Sequence, residues 1–184
     1  YWDFERTDLR NDIFEIVVDA DLSGGPFIKQ MNPNKDIISV EDLHFKFHSV
    51  HAQNYHIFTP AKGKDWTMVW GCQPWLKNLP WANAAYNYSL KPGESGKLIL
   101  EFWITPFDYA AHEGPGRSVV SELEENSIIG LSWSILEYDN NEDRYEAFMN
   151  LSHKTEMYGN ASYLCAFRLM PLENRFHKPI EANW

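Results

Sequence analysis

A chain of 184 residues, 44% hydrophobic and 15% aromatic, is long and apolar enough to fold around one core, which excludes the disordered class. Its formal net charge of -10 argues against nucleic acid and anionic membrane surfaces as partners, because both require a basic face. No apolar run approaches the ~20 residues of a membrane-spanning helix, so membrane insertion is not expected.

The chain opens at "YWDFERTD" without a Met, as a mature or trimmed sequence does, and this is compatible with a removed secretion signal. "IFEIVVDAD" (13–21) is rich in β-branched residues and runs into Ser23-Gly24-Gly25-Pro26, which predicts a strand ending in a turn. Glu15, Asp19 and Asp21 share one parity and so one side of that strand. Glycoside hydrolysis needs two carboxyls roughly 5–9 Å apart, and strand positions two apart are separated by about 6.6–6.8 Å. The simpler reading, and the favoured one, is that Asp19 and Asp21 close the strand with turn hydrogen bonds or supply calcium oxygens.

"LHFKFHSV" (43–50) alternates strictly and reads as a half-exposed strand. His44 and His48 are two pleats beyond close neighbours on it, about 13 Å apart, too far to clamp one zinc ion. "NYHIFTP" and "WTMVWGC" read as strands joined by the loop "AKGKD". "GCQPWLKNLPW" (71–81) then places Trp75 and Trp81 on a proline-broken segment, after Trp66 and Trp70 of one strand face. Two roles are open to such rings. They can stack on the C–H face of a pyranose while Gln73, Asn78 and Asn83 bind its hydroxyls, or they can plug the end of a core. Prolines reduce the loop's unfolded freedom, which favours presenting rings there.

"AAYNYSL" (84–90), the turn "KPGESG" and "KLILEFWIT" (97–105) predict a hairpin. The second strand is apolar on both faces except at Glu101, which predicts a central position with Trp103 in the core. "HEGPGR" (112–117) is a turn presenting Arg117, and the capping-box spacing of Ser121 and Glu124 in "SVVSELEEN" predicts one or two helical turns. "SIIGLSWSILEYD" (127–139) puts Ile129, Leu131, Trp133 and Ile135 on one face and Gly130, Ser132 and Ser134 on the other. "DNNED" (139–143) begins like a calcium loop but has Arg144 where glycine is needed, and reads as a polar hairpin loop. "YLCAFRLMPL" (163–172) is the last strand, followed by a loosely attached tail over 173–184.

Many short strands at turn-separated intervals predict one all-β domain over 1–184, an antiparallel β-sandwich. Cys72 and Cys165 allow one disulfide or two thiols, and the sequons at Asn87, Asn150 and Asn160 matter only in a secreted eukaryotic protein. No Gly-x-Ser-x-Gly elbow and no phosphate-binding glycine loop occurs.

"FEIVVDAD", "GKLILEFWITPFDY", "LEENSIIGLSWSILEYD" and "ASYLCAFRLMPL" together resemble the family 9 carbohydrate-binding modules, over roughly residues 12 to 172. The resemblance implies a jelly-roll-like β-sandwich, structural calcium, and sugar held at surface tryptophans without catalysis. It also implies secretion, and work on polysaccharide or oligosaccharide beside a glycoside hydrolase. Asp19, Asp21 and Asp139 stand where the family's acidic strand ends stand. The family's opening segment and first strands have no counterpart, so the chain is expected to lack N-terminal strands or to be a divergent branch. Where a second ligand tryptophan is expected, 150–163 offers His153, Tyr158 and Tyr163 instead.

The expected function is therefore non-catalytic glycan binding through Trp70, Trp75, Trp81, Asn78, Asn83, Arg117 and Tyr158. One alternative is a sandwich glycoside hydrolase using Glu15, Asp19 or Asp21, and another is a protein-interaction domain with exposed aromatic side chains.

Overall fold

The computed structural model describes residues 11–25, 50–57, 66–69, 73–89, 91, 94–138 and 145–171. Among them are ten strands and four 3₁₀ turns. The strands are β1 Ile13–Asp19, β2 Gln53–Ile57, β3 Thr67–Val69, β4 Ala82–Tyr88, β5 Leu98–Ile104, β6 Phe107–Tyr109, β7 Val119–Val120, β8 Ile128–Glu137, β9 Ala147–Asn150 and β10 Cys165–Arg168. One six-stranded sheet runs β10-β8-β1-β2-β3 with β9 paired to β8, and two hairpin sheets, β4-β5 and β6-β7, complete the fold. Every strand pairing is antiparallel, as the sequence predicts for a β-sandwich.

β1 lies between β2 and β8, and its alternation distributes the two sides of the main sheet. Phe14 and Ile16 point toward the β4-β5 hairpin. Phe14 packs on Phe102, with ring centroids 6.1 Å apart, and on Trp133 at 6.2 Å. Ile16 joins Tyr55, Val69, Leu76, Phe107 and Ala110 in the largest core cluster, with Ile104 closing it from β5. On the other side, Val17 packs with Ala52, Met157 and Ala161, so the 3₁₀ turns around 155–163 cover that end of the sheet.

Side chains take over where strand pairing stops. Gln53 is fully buried; its Nε2 donates to Phe107 O at 2.9 Å and its Oε1 accepts from Phe107 N at 2.9 Å. It thus supplies to one residue of β6 both bonds that a neighbouring strand would provide. Further along, Gln73 Nε2 donates to Ala110 O and Trp75 Nε1 to Ala111 O, each at 3.1 Å.

Two expectations change, and the structure adds which face of β8 is enclosed. β5 is not central among the described residues: there it pairs with β4 alone, and Trp103 on its outer face is 47% exposed. Val119 and Val120 form β7 and pair with Tyr109 and Phe107, so no helical turn forms over 118–126. On β8 the serine face is the more deeply buried one, with Ser132 and Ser134 wholly enclosed. The strand predicted over 43–50, apart from Val50, the loop 139–143 and the tail 173–184 lie outside the described residues.

Candidate functional site

The serine face of β8 is buried because Glu15 lies opposite it. β1 pairs Glu15 with His56 of β2 and with Ser134 of β8, so the two flanking strands bring their polar side chains to one carboxylate. Glu15 Oε1 accepts from Asn54 Nδ2 at 2.7 Å and is 2.8 Å from His56 Nε2; Oε2 accepts from Ser134 Oγ at 2.5 Å. Burial alone would push the Glu15 carboxyl up, but the His56 ring, then Ser134 and Asn54, outweigh it and hold it below the ordinary carboxylate range. A carboxylate held ionised in this way is unsuited to proton donation. Asn54 Oδ1 and Ser132 Oγ are buried on the same face without a hydrogen-bond partner.

Asp19 ends β1 on the same side, 2% exposed. Its Oδ2 accepts from Gly24 N at 3.0 Å, and Asp21 Oδ1 accepts from Ser23 N at 3.1 Å. Both aspartates thus brace the turn that returns the chain over Ala161, whose N–H donates to Gly25 O at 2.9 Å. Burial pushes the Asp19 carboxyl up to about 7, and the adjacent Asp21 carboxylate adds to the rise. Asp19 Oδ1 has no hydrogen-bond partner, so the pair suits a cation in charge and in free oxygen. Among the described residues no three metal-ligating side chains converge, and Asp139 lies outside them. The pocket beside Asp19 holds about 140 Å³ and is lined by Leu22, Gly130, Ala161 and Leu164 among others.

Trp75 opens with Pro74 a 3₁₀ turn over Pro74–Lys77, and Trp81 precedes β4. Both rings are half-buried, and both set edges against the enclosed Phe107 ring, at 5.3 and 5.4 Å between centroids. They meet each other at 6.1 Å and 77°. The Trp75 indole N–H is already committed to Ala111 O. Asn78 is exposed beside them, and its carbonyl accepts from Trp81 N at 2.8 Å, closing the loop. Arg117 is exposed on the 3₁₀ turn Pro115–Arg117, 3.4 Å from Glu113 Oε1. Tyr158 is 46% exposed next to Met157, which belongs to a different core cluster from the tryptophan loop. Trp70 lies outside the described residues.

Asn83 stands apart from that loop's rings, on the outer face of β4 opposite Trp103. A groove of about 220 Å³ runs there, lined by Asn83, Ala84, Ala85, Glu101, Phe102 and Trp103. A larger cleft of about 620 Å³ lies between Asp21, Leu22, Asp108, Val119, Val120, Glu122 and Ile128, with no aromatic ring in its wall. His56, Asn54 and Ser134 were not legible as partners of Glu15, because their pairing depends on strand register. Trp103 was read as core because its strand is apolar on both faces.

No model of a known protein family matches the chain, and no curated protein matches it in sequence. Solved structures do. A family 9 carbohydrate-binding module from Caldicellulosiruptor kristjanssonii in complex with cellotriose is similar over 93% of this chain, at 13% identity and a TM-score of 0.52. The glucose complex of a family 9 module from that organism is similar over 95%, at 11% identity and a TM-score of 0.54. The chain spans 64% and 68% of the length of those two proteins. The chain thus has the β-sandwich fold of the family 9 carbohydrate-binding modules.

Proposed function

We propose that this domain is a non-catalytic carbohydrate-binding module. The observation that carries the reading is the likeness over 93% of the chain to a module solved with cellotriose. Two further features support it. The domain keeps aromatic rings and amides at its surface, and the carboxylates of β1 and its turn, Glu15, Asp19 and Asp21, are engaged in bracing the sheet and the turn. Glu15 is closed off by three partners, and Asp19 is 2% exposed and bonded to Gly24 N.

On this reading the glycan lies across the region of the tryptophan loop and the adjoining β4-β5 hairpin. Asn78 and Asn83 supply hydrogen bonds, and Trp75 and Trp81 hold the loop's shape and offer their outer edges. Asp19 and Asp21 would hold a structural calcium ion, whose charge offsets their mutual repulsion; Arg117 and Tyr158 are auxiliary contacts. The module works outside the cell, beside an enzyme that degrades polysaccharide.

Calorimetric titration of the domain with cellotriose, glucose and xylan fragments tests the proposal. Saturable binding with no release of reducing sugar on long incubation is the expected result. Absence of binding to every glycan, or turnover that a Glu15→Gln, Asp19→Asn or Asp21→Asn variant abolishes, would overturn it.

A further inference from the structure

We infer that the ring on which the glycan stacks is Trp103, on the outer face of the β4-β5 hairpin, with Asn83 and Glu101 as its hydrogen-bonding flanks. This deepens the carbohydrate-binding reading and rests on it.

The register of the hairpin assembles the site. Asn83 pairs with Trp103 and Ala85 with Glu101, so these four side chains emerge on one face as two adjacent cross-strand pairs. The opposite face of the same hairpin carries Phe102 and Ile104, which pack on the main sheet. Its inner face being engaged, the hairpin is held as a rigid platform, and its outer face is free to meet a ligand.

Trp103 differs from the other described tryptophans. Trp66 donates to Lys77 O, Trp75 to Ala111 O, Trp81 leans on Phe107, and Trp133 stacks on Phe14. Trp103 has no ring partner and no hydrogen bond among the described residues, and it is 47% exposed. A ring of this kind offers 150–250 Å² of contact at small entropic cost, yet folding leaves about half of it in water here. Across from Glu101 the chain places the methyl side chain of Ala85, so the floor beside the indole stays low. The result is the groove of about 220 Å³ between an indole, an amide and a carboxylate.

That chemistry selects the occupant. An indole face takes the C–H side of a pyranose, while the Asn83 amide and the Glu101 carboxylate take hydroxyl groups at the ring's edge. Among the described residues no lysine or arginine lines the groove, and the chain carries a net charge of -10, so acidic sugars and phosphorylated ligands are disfavoured. A second copy of the chain fits poorly, because two-fold pairing of this face would gather like-charged Glu101 side chains about one axis. The occupant is a neutral glycan with a flat apolar face, of the cello-oligosaccharide kind.

The test is a titration of the whole domain with cellotriose, using wild type, Trp103→Ala, Trp103→Tyr, Asn83→Ala and Trp75→Phe. Circular dichroism and thermal melting establish that each variant is folded. Trp103→Ala is expected to weaken binding at least tenfold, Trp103→Tyr to restore most of it, and Asn83→Ala to weaken it severalfold. Cellotriose should also protect Trp103 from oxidation by N-bromosuccinimide, read by peptide mass spectrometry. If the wild type binds and folded Trp103→Ala binds equally well, the inference falls and the carbohydrate-binding reading stands. If the wild type binds no neutral glycan, both fall. A wild-type dimer that Trp103→Ala converts to monomer would overturn the inference in favour of self-association.

Discussion

Glu15 and His56 meet at 2.8 Å across the β1-β2 pairing, with side-chain exposures of only 1% and 5%. Two strands thus share a buried polar contact at the middle of the main sheet, and Ser134 and Asn54 complete it. Removing one partner of such a pair leaves the others buried without a counterpart, which typically costs about 3–5 kcal/mol. Glu15→Ala is therefore expected to lower the urea midpoint sharply at an unchanged slope. Glu15→Gln, which keeps the shape but turns one acceptor into a donor, should lose about 1–3 kcal/mol.

The same pair sets an acid limit. The folded Glu15 pKa lies below its ordinary value of 4.5, so its contribution to stability is present above that value and is lost as the pH falls through the folded pKa. Melting temperatures of wild type and Glu15→Gln should converge as the pH is taken from 6 toward 3. A constant gap would show that Glu15 does not titrate in this way.

Asp19 works in the opposite direction. Its folded pKa is raised from 3.8 to about 7, so its contribution is fully present below the unfolded value and lost as the pH rises through about 7. In calcium-free buffer, wild type should lose stability relative to Asp19→Asn between pH 4 and pH 8. Asparagine keeps the oxygen that accepts from Gly24 N and never ionises. Calcium favours the ionised form, so at pH 8 it should raise the wild-type melting temperature and leave Asp19→Asn unmoved. A concentration of 100 times Kd corresponds to about 2.7 kcal/mol. No calcium response in either protein would remove Asp19 and Asp21 from a metal site.

Gly24 makes the turn below Asp19 close-packed. A Cβ there would stand 2.8 Å from Ala161 Cβ and from Asp19 Oδ2, and 3.1 Å from Ala52 Cβ. Those contacts join the turn to the Val17, Ala52, Met157 and Ala161 cluster, which cannot yield without moving the 155–163 segment. Gly24→Ala is expected to destabilise by about 1–3 kcal/mol, measured by urea unfolding. A neutral result would mean that the turn shifts freely.

The sandwich was legible because its strands announce themselves by β-branched residues and turn punctuation, and β1, β8 and β10 fall within the predicted segments. Burial was less legible. Alternation in "GLSWSIL" separates the serines from the apolar residues without telling which face is enclosed; Ser134 is 119 positions from the carboxylate that holds it, and no local pattern records that pairing. The capping-box spacing of Ser121 and Glu124 was a real local preference, overridden when Val119 and Val120 found Tyr109 and Phe107. For the candidate site, the sequence pointed to a cluster of tryptophans and to Asn83. It could not distinguish rings that lean on Phe107 from the ring on an open face, because an exposed strand of a two-stranded sheet has the same apolar composition as a buried one.

That distinction gives the last prediction, which concerns stability alone. Trp75 and Trp81 both set an edge against Phe107, itself fully enclosed, and the Trp75 N–H satisfies a backbone carbonyl. Trp75→Ala removes the ring and the bond together and should cost about 3–5 kcal/mol. Trp75→Phe keeps a ring in place and should cost about 1 kcal/mol for the lost hydrogen bond. Trp103 has no such partners among the described residues, so Trp103→Ala should change stability by no more than about 1 kcal/mol, within the span of strand propensities. Denaturant titration of the three variants separates rings that hold the fold from the ring left at its surface. Equal losses for Trp75→Ala and Trp103→Ala would mean that the β4-β5 outer face is packed in solution.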